Sequence, residues 1–168
     1  MARYRVVPDR SHLTAEARSS LHPIKVETNG LQGFVEADAD GGGPRLGAPF
    51  TVEIAAERLK SGNFLTDTEL QRRLETRKFP RIVGDVKGAD PVGGSLRWRL
   101  SGNLSLHGVT RATDAEVTVR VVDDRTLEIE GEKVIDIRDY GMTPPKLLML
   151  RVYPDVKVHA RLVVVRVD

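Results

Sequence analysis

The sequence has no cysteine, and aromatic residues make up only 5% of its 168 positions. Without cysteine there is no disulfide framework, no iron–sulfur cluster, no thiolate zinc site and no thiol nucleophile. The signatures G-x-S-x-G, H-E-x-x-H and G-x-x-x-x-G-K-[ST] are also missing, which excludes the hydrolase, zinc-protease and phosphate-loop chemistry that they carry. The sequence therefore predicts no catalytic residues, no metal site and no cofactor.

Long apolar runs are absent as well. No stretch approaches the roughly 18 apolar residues that a membrane-spanning helix needs, and the amino terminus has no apolar segment of the kind found in secretory signals. We therefore expect no stable membrane insertion and a cytoplasmic location. The net charge is only +2 and no basic stripe accompanies it, so nucleic acid is not expected as a partner.

Alternating polarity is the dominant pattern in the chain. Over residues 96–108 the even positions are apolar or glycine and the odd positions are polar or charged, which is typical of a strand with one buried face. The other predicted strands cover 2–7, 11–19, 24–37, 50–56, 81–87, 115–121, 127–137 and 148–164. Turn residues such as Asn29-Gly30 interrupt or separate them. The sequence is thus predicted to be all-β, with about eight or nine antiparallel strands.

One segment departs from this alternation. Residues 66–69 read Thr-Asp-Thr-Glu, which fits a capping box at the start of a helix, and Leu70 and Leu74 follow at helical spacing. Pro80 marks the end of the segment. This pattern predicts a single helix of about three turns. No linker, repeat or low-complexity stretch divides the chain, so residues 1–168 are expected to form one domain.

Long alternating strands favour a sheet closed into a barrel, because closure removes exposed strand edges. The interior of an eight-stranded barrel is either filled by side chains or hollow enough for one small ligand. Small residues on the predicted inner faces favour the hollow form: Ala15, Ala17, Gly102, Gly108 and Ala160. Alternatively, these small residues mark places where strands cross closely or the sheet bends.

Charged and titratable residues show no obvious site. The four histidines lack metal-ligand spacing, and His107 and His159 fall on polar strand faces, where exposed side chains are expected. Lys133 has inward parity and is positioned to meet an anionic head group, unless a bulge near Gly131 turns it outward. Arg138 is predicted to make a structural ion pair or to cap backbone carbonyls near the barrel end, rather than to bind a ligand phosphate.

Five segments carry a family resemblance. They are residues 4–12 (YRVVPDRSH), 31–36 (LQGFVE), 70–82 (with Phe-Pro-Arg-Ile at its end), 102–111 (GNLSLHGVTR) and 137–141 (IRDYG). Taken together and in this order, they resemble the YceI family of lipocalin-like, polyisoprenoid-binding proteins. The most specific of them is the segment 102–111, which is similar to the glycine- and threonine-containing hairpin of that family.

The resemblance implies an antiparallel, eight-stranded, lipocalin-like barrel with one short helix packed against it. It also implies that the interior binds a long apolar lipid, a polyisoprenoid or a related amphiphile, for carriage or storage and without catalysis. Two alternatives stay open at this point: a protein-interaction module with a filled barrel, and a lipocalin-like enzyme with a histidine in its pocket. A homodimer is also left open.

The predicted ligand contacts lie on the inner strand faces and around the helix. They are Leu13, Ala15, Ala17, Phe34, Phe64, Leu70, Leu74, Trp98, Leu100, Leu104, Val117, Val119 and Tyr140. The helix carries a narrow apolar stripe, and Arg73 is among the residues predicted to face solvent. Two roles for this helix are open: it opens as the gate of the cavity, or it plugs one end of the barrel permanently.

Overall fold

The computed structural model describes residues 1–39, 41, 43–94, 96–147 and 149–167. These residues form eleven strands, which are β1 (Ala2–Val6), β2 (His12–Ser19), β3 (Ile24–Thr28), β4 (Leu31–Asp38), β5 (Arg45–Leu46), β6 (Phe50–Ala55), β7 (Arg81–Pro91), β8 (Arg97–Leu106), β9 (Val109–Asp123), β10 (Thr126–Asp136) and β11 (Val152–Val167). They also form one α-helix and three short 3-10 helices, which are α1 (Phe64–Leu74), Pro8–Arg10, Ala56–Arg58 and Ile137–Tyr140. Leu148, which the alternation assigns to the last strand, lies outside the described residues.

Eight of these strands close into an antiparallel barrel in the order β1-β4-β6-β7-β8-β9-β10-β11, and β1 pairs with β11 to complete the ring. The last strand has two partners along its length. Its first part pairs with β2, as far as Arg161 opposite His12, and residues 164–167 pair with β1. The β2–β3 hairpin therefore extends the wall at one end. The predicted eight-stranded barrel with one helix is confirmed.

Ser11 lies where β11 changes partner, and it is only 3% exposed. Its hydroxyl donates to the carbonyl of Val7 at 2.8 Å and accepts from the backbone N–H of Val163 at 3.0 Å. The 3-10 turn at Pro8–Arg10 interrupts the ladder here. The Val7 carbonyl also accepts from the backbone N–H of Arg10, but the buried N–H of Val163 needs the side-chain partner. Ser11 thus stabilises the junction between β1 and β2.

Replacing Ser11 by alanine is expected to lower the free energy of unfolding by about 1–3 kcal/mol, because it leaves the Val163 N–H buried without a partner. Urea denaturation of the two proteins measures this difference. Ser101→Ala on the exposed face of β8 is the matched control, with an expected change within about 0.5 kcal/mol. Equal effects of the two substitutions would contradict a structural role for the Ser11 hydroxyl.

The two ends of the barrel are packed differently. One end, which we call the closed half, is filled by side chains with almost no exposure: Tyr4, Val35, Val119, Leu127 and Val164. At the other end, the open half, β3 is the last strand of the sheet. Beyond it, within the described residues, an isolated bridge joins Glu27 to Lys60. The ladder is therefore incomplete here, and residues 56–74 with α1 complete the wall.

The helix starts earlier than the capping-box pattern predicts. Asn63 is the N-cap, and its side-chain oxygen accepts from the backbone N–H of Thr66 at 3.1 Å. Asp67 instead accepts from the backbone N–H and the hydroxyl of Ser61, both at 2.7 Å. Asp67 therefore holds the preceding loop, and Glu69, the carboxylate of the predicted capping box, pairs with Arg73 within the helix. The helix ends at Leu74, after which the backbone turns left-handed.

Candidate functional site

An apolar cavity of about 200 Å³ lies in the open half, against α1. All but two of its lining residues, Arg73 and Tyr153, have apolar side chains. The lining consists of Leu13, Ala15, Ala17, Ile24, Val26, Ile54, Leu59, Leu70, Arg73, Leu74, Ile82, Leu104, Leu106, Ile135, Ile137, Met142, Pro145, Val152, Tyr153, Val156 and Val158. A concave apolar site with few polar groups is the usual form of a site for a small hydrophobic molecule.

The small residues of β2 contribute to this space. Ala15 and Ala17 face the interior opposite Val158 and Val156 of β11, and an alanine side chain ends at Cβ, so volume is left in front of it. The small size of Gly102 has a different reason, since a Cβ at that position would lie 1.9 Å from the backbone oxygen of Asp85. Small residues thus leave space for the cavity at Ala15 and Ala17, whereas at Gly102 a small residue is needed because two strands approach closely.

Six of the residues predicted to contact a ligand line the cavity: Leu13, Ala15, Ala17, Leu70, Leu74 and Leu104. Four others lie in the barrel interior but away from the cavity: Trp98, Leu100, Val117 and Val119. Their side chains face the interior, as their parity predicts, but they lie at a different height along the barrel from the cavity, which parity does not specify. Trp98 precedes Leu104 by six positions on β8, which corresponds to about 20 Å along a strand. These four residues therefore pack the core instead of lining the cavity.

Three predicted contacts lie elsewhere. Phe34 is on the outer face of β4, where the guanidinium of Arg3 stacks on its ring at 3.8 Å, because Leu31 and Val35 have the inward parity. Phe64 is 81% exposed at the first turn of α1. Tyr140 is buried in the 3-10 helix after β10, and its burial raises the pKa of its hydroxyl.

Arg73 is the charged residue that the sequence reasoning missed, because it was assigned to solvent. Its side chain is 23% exposed and lines the cavity, with Nε donating to Glu69 at 2.9 Å and Nη1 donating to the hydroxyl of Thr143 at 2.6 Å. The sequence contained a signal for this position of Arg73, since positions 70, 73 and 74 share one face of a helix. These contacts fasten α1 to the segment after Gly141.

The Arg73 guanidinium lowers the pKa of Glu69 below its ordinary value of 4.5, and Arg72 acts in the same direction. Glu69 is therefore ionised at neutral pH. A carboxyl whose pKa is lowered by folding adds stability above its unfolded pKa, and this stability is lost as the pH falls through the lowered value. The ion pair is thus intact at neutral pH.

His107 is not an exposed strand residue as predicted. It occupies the β8–β9 turn with a left-handed backbone, φ 55°, and its side chain is 14% exposed. Nδ1 lies 3.0 Å from the Tyr140 carbonyl, and Nε2 lies 2.5 Å from the Glu75 carboxylate just after α1. His107 therefore joins the helix, the turn and the 3-10 helix. No histidine of the described residues lines the cavity.

Two other charged residues also make ion pairs. The β10–β11 ladder runs through Gly131 without a bulge, yet Lys133 reaches Asp114 at 3.2 Å instead of the interior, because the β9–β10 ladder ends at Gly131.

Arg138 contacts both carboxylate oxygens of Asp136 at 2.7–3.2 Å and holds the pKa of that carboxyl below its usual range. The Arg138 side chain is 65% exposed, so this pair adds little stability.

A larger cleft, of about 870 Å³, lies on the outer surface beside β3. Its lining includes Glu27, Arg58 and Lys60, and the ring Nε2 of His12 lies 3.4 Å from the Glu27 carboxylate. Charged residues of both signs line this cleft, and it is open to solvent. The apolar cavity is therefore the better candidate for a specific ligand, despite its smaller volume.

Comparison with known proteins identifies relatives along nearly the whole chain. The model of the YceI-like domain family matches residues 4–164. The structure resembles that of Burkholderia cenocepacia BcnA, with a TM-score of 0.79, 14% identity, and coverage of 94% of this chain and 98% of that chain. It also resembles a polyisoprenoid binding domain from Saccharophagus degradans implicated in plant cell wall breakdown, with a TM-score of 0.79, 14% identity, and coverage of 99% and 100%.

A further similar structure is the Campylobacter jejuni YCEI protein, with a TM-score of 0.66, 14% identity, and coverage of 82% of this chain and 81% of that chain. No curated protein matches the sequence. At these identities the structural likenesses establish the fold. Among the described residues, no helix has both the length and the apolar character needed to cross a membrane.

Proposed function

The chain belongs to the family of YceI-like domains, and we propose that its open-half cavity binds the apolar chain of a lipid, a polyisoprenoid or a related amphiphile, for carriage or storage without catalysis. The observation that carries this proposal is the cavity lining, which is apolar except for Arg73 and Tyr153. The Saccharophagus degradans domain, which has the same fold, is a polyisoprenoid binding domain. That relationship supports an isoprenoid over other apolar ligands.

The energetics agree with an isoprenoid of several units. Burial of one CH₂ contributes about 0.8 kcal/mol, so a five-carbon unit contributes at most about 4 kcal/mol. Association costs about 4–15 kcal/mol, so two or three units offset this cost. A ligand of ten to fifteen carbons is therefore the smallest that would bind well.

The size of the cavity indicates that the open half expands on binding. An apolar cavity of about 150 Å³ accommodates benzene, which has six carbons. The present cavity, at about 200 Å³, therefore holds little more than one isoprene unit. Since α1 contributes Leu70, Arg73 and Leu74 to the lining, its outward movement is the simplest way to admit a longer chain.

Farnesol and geranylgeraniol, which have three and four isoprene units, are suitable probes. We expect both to bind with one molecule per chain, and native mass spectrometry of the protein from its expression host to show a co-purified lipid. Isothermal titration calorimetry should give a negative heat-capacity change, because apolar surface is buried. Hydrophilic alcohols of similar size serve as the control. Absence of farnesol binding, with no lipid co-purified, would refute the proposal.

A further inference from the structure

The most exposed apolar side chains of the described residues collect at the open end of the barrel. Leu21 is 79% exposed, Phe64 81%, Leu65 64% and Met149 93%. We call these four residues the apolar rim. Met1 is the one other large apolar side chain of the described residues that exceeds 60% exposure. Such a concentration of exposed apolar side chains marks an interaction surface.

The rim comes from three separate segments: the β2–β3 turn, the first turn of α1 and the segment before β11. Leu21, Leu65 and Met149 line one groove of about 550 Å³. Two of the segments are tied together at their bases, since the Ser20 backbone N–H donates to the Arg151 carbonyl at 2.9 Å. Leu21, Leu65 and Met149 thus share one surface through the groove, although they are far apart in sequence, and Phe64 lies next to Leu65 at the start of α1.

This groove adjoins the cavity. Ile24 lines both of them. Glu69 lines the groove and Arg73 lines the cavity, and the two side chains are joined at 2.9 Å. Ile24 and the ion pair between Glu69 and Arg73 therefore lie between the groove and the cavity. A movement of α1 that displaces this ion pair would connect the groove with the cavity.

The charge beside the groove is predominantly positive. Lys146 lines it, and the Glu69 carboxylate is shared between Arg73 at 2.9 Å and Arg72 at 3.6 Å. Three cationic groups thus accompany one carboxylate. Apolar side chains with lysine and arginine beside them are the combination that binds the interface of a membrane containing anionic lipids.

We propose that the apolar rim docks on the surface of an anionic lipid membrane, and that lipid passes from the membrane through the groove into the cavity. This inference rests on the proposed lipid-binding function. A bilayer fits the rim better than a folded partner, because the four side chains project from three separate segments and a fluid membrane accepts them without a matching surface. Docking also spares the lipid chain an unfavourable passage through water.

The test compares three proteins: the wild type, a rim variant (Leu21→Gln, Leu65→Gln, Met149→Gln) and a control variant. The control is Val121→Gln with Val122→Gln, which replaces side chains 50% and 48% exposed at the closed end. Each protein is sedimented with phosphatidylcholine vesicles that contain about one-quarter phosphatidylglycerol, and with vesicles of phosphatidylcholine alone. Farnesol affinity and self-association are measured in solution without vesicles.

We expect the wild type and the control to bind the anionic vesicles, and the rim variant to bind at least about tenfold more weakly. Phosphatidylcholine vesicles alone should bind the wild type more weakly, and farnesol affinity should be the same for all three proteins. The inference is overturned if the wild type does not bind vesicles, if the rim variant binds equally well, or if the rim substitutions abolish only a dimer. Rim-dependent vesicle binding, without farnesol binding by any of the three and with no lipid co-purified, would refute the proposed function and leave the docking surface standing.

Discussion

Replacement of Ala15 by phenylalanine should reduce farnesol affinity by at least about 100-fold, the largest effect that we expect from a single substitution. Ala15 faces the cavity between Val26 and Val158. A phenyl ring matches benzene in size, for which an apolar cavity of about 150 Å³ suffices, so the new side chain would fill most of the about 200 Å³ available. Calorimetric titration with farnesol measures the loss.

Ala112→Phe is the matched control, because Ala112 lies on the exposed face of β9. It should leave farnesol affinity within about twofold of the wild type. Thermal unfolding of both variants tests whether they are folded, and overpacking at Ala15 is expected to cost at most about 1–3 kcal/mol. Undiminished affinity in a folded Ala15→Phe protein would mean that the lipid binds outside this cavity.

The second large effect concerns backbone hydrogen exchange in the helix region, residues 64–79. We expect rapid exchange in the empty protein and strong protection with farnesol, because the lipid would be enclosed by Leu70, Arg73 and Leu74. At a free concentration about 100 times the Kd, binding stabilises the bound form by about 2.7 kcal/mol. Exchange that requires release of the lipid should therefore slow by about 100-fold.

Two comparisons make this result specific. Glu69→Gln removes the ion pair with Arg73, and it should speed exchange in residues 64–79 of the empty protein while β8 and β9 keep their protection. Thr68→Ala, on the same helix and away from that pair, should have a smaller effect. Strong and equal protection of the helix with and without farnesol would instead identify α1 as a permanent plug, and the passage for lipid would lie elsewhere.

Much of the fold could be predicted because alternation is a local property of a strand. On β8 the even positions Trp98, Leu104 and Leu106 do face the interior, as the pattern indicates. The segment 24–37, predicted as one strand with Asn29 and Gly30 inside it, is two strands, β3 and β4, which are divided at those two residues. Phe34 was predicted to face the interior, but Leu31 and Val35 have the inward parity in the same strand, and Phe34 lies on the outer face.

The candidate site was predicted less completely, because height along a barrel is not encoded by parity. Trp98 and Leu104 have the same parity, but one packs the closed half and the other lines the cavity. Arg73 was assigned to solvent because arginine is usually exposed. Its partner Thr143 is 70 positions away, and no local pattern connects the two residues.

By itself the sequence determined which side chains share a strand face, that one helix interrupts the strands, and, through five family segments, that the sheet closes into a barrel. These features depend on the chemistry of neighbouring residues. Only the tertiary structure decided where the barrel is hollow. That depends on the change of partner of β11 near Ser11, on the edge of β3, which is paired only through the Glu27–Lys60 bridge within the described residues, and on the position of α1. Each of these is set by contacts between residues far apart in the chain.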